Sequence, residues 1–152
     1  MKNLLLTLKN YFMETIIKKI KLGSELTTAE QLKMLDLPDR VAVLKRYLDL
    51  GYSLCDRAEV KLFEMPEKVE LLKMYISKGW YLCKEAQLRL FDLPERVELF
   101  ELYVRRNYLS DAAELKMLDM PEKVAFFKMY FQKHKLCEVA EEKARELGLI
   151  KA

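Results

Sequence analysis

The chain has 152 residues, 51% of them hydrophobic and 34% charged, a balance that excludes intrinsic disorder and suffices for one folded unit. Its 27 Lys and Arg against 24 Asp and Glu give a formal charge of +3, too small to identify a polyanion-binding protein by itself. Four glycines, four prolines and prominent Leu, Lys, Glu and Ala point to an all-α chain, and no apolar run approaches the roughly 18 residues of a membrane span.

The first predicted elements are two helices near residues 2–9 and 11–22. The opening run Leu4, Leu5, Leu6, Leu8 imitates a signal peptide, but it is short, is broken by Lys9 and Asn10, and has no small-residue cleavage site after it. A non-secreted, cytoplasmic chain is therefore expected, without membrane attachment. Residues 1–26 read as a degenerate repeat with Asn10 where later units carry proline. Their apolar opening leaves this end poorly capped and suggests self-association.

The rest is organised by a returning phrase: Leu37-Pro38-Asp39-Arg40, Met65-Pro66-Glu67-Lys68, Leu93-Pro94-Glu95-Arg96 and Met120-Pro121-Glu122-Lys123, with prolines 28, 28 and 27 residues apart. Aligned on the prolines, four complete units emerge: 27–54, 55–82, 83–109 and 110–136. Each opens on a small capping-type residue (Thr27, Cys55, Cys83, Ser110), which suits a helix N-cap. A first helix of about ten residues follows, its apolar side chains three and four apart, as in Ala58, Leu62, Met65 or Ala86, Leu90, Leu93, with Val60 and Phe63 broadening the stripe. A second helix, about 13 residues long, is expected to start at each proline, where the missing N–H costs nothing and the adjacent acids suit the helix dipole. Its buried side reads Val69, Leu72, Tyr75, Ile76 in one unit and Val124, Phe127, Tyr130, Phe131 in another. It stops near Gly51, Gly79, Asn107 or His134, Gly and Asn being tolerant of positive φ.

Residues 137–152 form a terminal helix in which Glu142 and Arg145 replace apolar residues of the earlier units, as a cap requires. Helices this short are marginal alone and must stack on neighbours. The expectation is about eleven short helices in tandem antiparallel hairpins, wound as a right-handed superhelical α-solenoid. The pattern resembles the broad class of two-helix solenoids that includes tetratricopeptide and HEAT repeats, although the unit is shorter than the 34 residues of a tetratricopeptide repeat. The resemblance implies a concave surface that docks peptides, proteins or sometimes nucleic acid, and it carries over no functional residue.

Cys55, Cys83 and Cys137 share the position that Thr27 and Ser110 fill elsewhere, so they read as N-cap thiols in a reducing compartment. Stacked helices lie about 8–10 Å apart, too far for a disulfide between equivalent positions, and the single His134 has no second metal ligand beside it in the sequence. Tyr47, Tyr75, Tyr103 and Tyr130 form a column read as core rings with hydroxyls at a wet edge; base stacking is the functional alternative. The series Lys33, Lys61, Arg89, Lys116 and Arg40, Lys68, Arg96, Lys123 alternate with acids three or four residues away and read as salt-bridge ladders.

Lys45, Lys73, Lys128, Arg46, Arg105, Arg106 and Lys133 have fewer acidic neighbours and are the candidate contacts for nucleic acid. The turns after the second helices carry Tyr52, Trp80, Tyr81 and Tyr108, aromatics that either seal the core or anchor a protein or peptide partner. No catalytic triad, phosphate-cradling loop or isolated carboxylate pair stands out, so a non-catalytic binding scaffold without cofactor is expected.

Overall fold

The computed structural model describes residues 2–151, apart from the side chains of Lys2 and Lys9. Among the described residues it is all-α, with no strand and ten helices: α1 (Lys2–Lys21), α2 (Thr28–Met34), α3 (Arg40–Asp49), α4 (Asp56–Leu62), α5 (Lys68–Ser77), α6 (Lys84–Leu90), α7 (Arg96–Val104), α8 (Asp111–Asp119), α9 (Lys123–Phe131) and α10 (Glu138–Glu146). None is long and apolar enough to cross a membrane.

Ten replaces eleven because the N-terminal pair is one 20-residue helix. Asn10 is a poor helix former but no breaker, and neither proline nor glycine interrupts α1. The hydroxyls of Thr7 and Thr15 bond back to the carbonyls of Asn3 and Tyr11 at 2.7 and 2.9 Å, so they do not compete with the helix. Gly23, at φ +73°, ends the run, and the Ser24 N–H closes it on the Lys19 carbonyl at 2.9 Å.

Both helices of each hairpin are shorter than expected. The first has seven residues in α2, α4 and α6, and the second starts two residues after its proline. The prolines instead occupy tight turns, closed by Arg40 N–H to Leu37 carbonyl at 3.3 Å and repeated at Lys68–Met65, Arg96–Leu93 and Lys123–Met120. Proline's fixed φ presets the second residue of such a turn. The expected N-cap slot holds: Thr27, Cys55, Cys83, Ser110 and Cys137 all precede their helices in extended conformation. Gly51 and Gly79 take positive φ after α3 and α5, whereas Asn107 does not; it is buried, with its side-chain amide 3.4 Å from the Tyr103 carbonyl.

The chain divides inside α5 into two compact units, one up to Met74 and one from Tyr75 onward. In the first, α2 packs on α1, α3 and α4, and α1 also touches α3. In the second, α8 packs on α6, α9 and α10, while α7 packs on α6 and α9. In both units first helices therefore lie on first helices, and in the second unit the second helices α7 and α9 also pack on each other.

The cores are built from the predicted stripes. Met34, Leu44 and Tyr47 are fully buried in the first unit. In the second, Phe91, Phe100 and Phe126 interlock with ring centroids 4.5–5.8 Å apart. Each ring removed from water contributes about 1.5–3 kcal/mol, which offsets the poor intrinsic stability of such short helices. Two residues assigned to the buried side, Val124 and Phe131, are instead about half exposed.

The charge ladders form largely between hairpins, while Arg89 pairs with Glu85 one turn away in its own helix. Lys61 pairs with Asp36 and Lys116 with Asp92, both at 2.7 Å, and Lys143 pairs with Asp119. Arg40 grips Glu67 through two bonds of 2.9 and 2.7 Å, and Arg96 grips Glu122 in the same way. These arginine bonds hold both glutamates below the usual carboxylate range.

Candidate functional site

The tyrosine column sets the geometry of the turns. All four rings are fully buried, so none is available to stack on a base. Nor do the hydroxyls reach a wet edge. Those of Tyr47, Tyr103 and Tyr130 each accept the backbone N–H of the leucine immediately before their own unit, Leu26, Leu82 and Leu109, each at 3.1 Å. A second recurring side chain, one turn into the first helix, carries the network forward. Gln31 accepts the Cys55 N–H at 2.7 Å, Gln87 the Ser110 N–H at 2.7 Å, and Glu114 the Cys137 N–H at 2.8 Å. Tyr47, Tyr103 and Tyr130 thus hold the entry turns of their units, and Gln31, Gln87 and Glu114 hold the N-caps that follow.

The turn residues add a further link. Tyr52 donates to the Gly23 carbonyl at 2.7 Å and stacks on Tyr47 at 5.3 Å. His134 Nε2 lies 2.7 Å from the Val104 carbonyl, an acceptor only, so that nitrogen carries the proton. The first bond sits just past the end of α1 and the second at the end of α7, where carbonyls lack intrahelical donors.

On this frame, an open cleft of about 520 Å³ lies between the turns at 108–111 and 133–137. Tyr108, Asp111, Lys133, His134 and Lys135 line its rim, with Glu114, Tyr130 and Cys137 at its base. Tyr108 is 63% exposed, and Tyr81, 42% exposed, meets it edge-on with centroids 5.2 Å apart. The two occupy the same place in adjacent hairpins, and Lys135 follows in the next.

The chemistry at the base is quiet. Asp111, Glu114 and Cys137 bring ligand-type atoms within 4.8 Å of one another, the donor set a cation would need. However, one Glu114 oxygen holds the Cys137 N–H and the other accepts the Tyr130 hydroxyl at 2.6 Å. Gln31 and Gln87 do the same capping work without a charge, so a structural role accounts for Glu114. Burial, reinforced by Glu114, raises the Cys137 thiol above its ordinary value, which keeps it protonated and a poor nucleophile at neutral pH. Burial and the Glu114 bond likewise push the Tyr130 phenol well above its usual range.

The predicted residues are divided between the two units. Tyr81 and Tyr108 meet, and Tyr52 is a half-buried seal in the other unit. Trp80 is half-buried, and its Nε1–H is enclosed with no acceptor among the described residues. Of the basic set, Lys45, Arg46, Lys128 and Lys133 are exposed and Lys73 is half-buried. Arg105 lies 3.4 Å from Glu101, and Arg106 donates to the Ser77 carbonyl at 3.4 Å.

The capping column was missed in the sequence, although a signal was present. Ala58-Glu59, Ala86-Gln87 and Ala113-Glu114 repeat a long polar residue directly after a buried alanine, inside an apolar stripe. Comparison of this chain with protein-family models, curated proteins and solved structures yields no match.

Proposed function

We propose that the chain is a helical-repeat scaffold, its hairpins stacked as an α-solenoid, that binds an extended peptide segment of a partner protein along the turn edge of the second unit. The observation that carries this reading is the exposed pair Tyr81–Tyr108, of which Tyr108 stands on the rim of the cleft. Two rings in edge contact, set on turns whose backbone amides are tied into the core, offer apolar area at low entropic cost. Lys133 and Lys135 beside them favour a ligand that combines an aromatic or aliphatic residue with acidic ones.

Selection of a displayed peptide library on the full chain tests the reading. A consensus of that composition is expected, and Tyr108→Ala or Tyr81→Ala should weaken the selected peptide roughly tenfold or more, as for aromatic anchors elsewhere. No enriched consensus, or undiminished binding by both variants, removes it. Steeply salt-dependent capture of single-stranded nucleic acid in place of peptide would favour the basic side chains instead.

A further inference from the structure

The first three turns of α1 carry a face that the rest of the chain leaves uncovered. Leu4 and Leu5 are each 66% exposed, Leu8 46%, Tyr11 63% and Phe12 41%, whereas burial of α1 begins at Ile16 and Ile20. The continuity of α1 is the cause. In later units the chain turns back at its proline, and the first helix hides its apolar face on neighbouring helices. Here the helix runs straight through Asn10 and carries a core-type face away from the body. Lys33, with its ammonium 5.5 Å over the Phe12 ring, marks where α1 leaves that body.

We propose that this segment pairs with the same segment of a second copy of the chain, as an antiparallel two-fold helix dimer. Leu4, Leu8 and Tyr11 follow at four and three residues, Leu5, Leu8 and Phe12 at three and four, and together they make one stripe with the spacing of a helix seam. Leu6, on the opposite side of α1, stays outside it.

With Leu8 on the two-fold axis, Leu4 faces Phe12 of the other copy and Leu5 faces Tyr11, a small residue against a large one at each step. The antiparallel sense also sends the two bodies to opposite ends of the seam. Area agrees with this occupant: five such side chains present roughly 500 Å² per copy, so a pair buries on the order of 1,000 Å², where specific interfaces begin.

Sedimentation velocity on the full chain, from about 1 to about 200 µM, spans the range in which an interface of this size associates. The expected result is a dimer that dissociates on dilution, with Leu8→Glu monomeric throughout and unchanged in helix content. Leu8→Cys, oxidised, should give a covalent dimer that the parent chain does not form under the same treatment. A parent chain that stays monomeric across the range overturns the proposal. So does a Leu8→Glu variant that still dimerises, or a monomeric parent that binds phosphatidylserine vesicles through this stretch.

Discussion

Glu114 shows how one side chain decides the fate of two buried groups. Removing it as Glu114→Ala leaves the Cys137 N–H and the Tyr130 hydroxyl without their acceptor, and stranded buried polar groups cost about 1–3 kcal/mol. Glu114→Gln should cost much less, because Gln87 already caps Ser110 and donates to Tyr103 at 3.2 Å in the same arrangement. Urea unfolding of the two variants separates them; equal losses would mean that the charge itself matters. At this scale the sequence was half legible. Apolar spacing marks Tyr130 as core, since a ring at that register must be buried. Where its hydroxyl goes depends on the entry turn of its own hairpin, 21 residues upstream, and periodicity carries no such information.

Helix and turn boundaries follow the same division. The recurring proline marked the turns between helices, though not where the second helices begin, and the capping residues were placed correctly, because both are local chemistry. The continuous run of α1 was misread since Asn10 was treated as a proline equivalent, and the ladders were only partly legible, because an i, i+4 partner such as Glu85 for Arg89 is obvious in a sequence while one in the next hairpin is not. The observed pairing has a consequence in acid. Glu67 and Glu122 titrate below their ordinary value because Arg40 and Arg96 bond to the charged form. Their contribution is fully present above about pH 4.5, the unfolded value, and is lost as pH falls through the lowered folded values. Thermal unfolding followed from pH 6 to pH 3 should show stability falling below that point, and a Glu67→Gln/Glu122→Gln chain should show a shallower fall. An identical pH profile in both chains would assign acid unfolding to other carboxylates.

For the molecule as a whole, the period of the prolines made an all-α repeat chain legible, and the structure agrees in having helices alone among its described residues. The candidate site was less so. Tyr81 and Tyr108 were among the aromatics singled out, but Tyr52 at a neighbouring turn proved to be a seal, and only exposure distinguishes an anchor from a plug. The account depends on turns held rigidly by the tyrosine and Gln/Glu column, because an anchor on a loose turn loses its preorganisation. Native-state hydrogen exchange of the backbone amides tests this directly. The amides of Leu82, Leu109, Ser110 and Cys137 should be protected as strongly as those inside α8 and α9, and Tyr130→Phe should release Leu109 selectively. Exchange of these four amides at the rate of open loops, in the unaltered chain, would contradict the account.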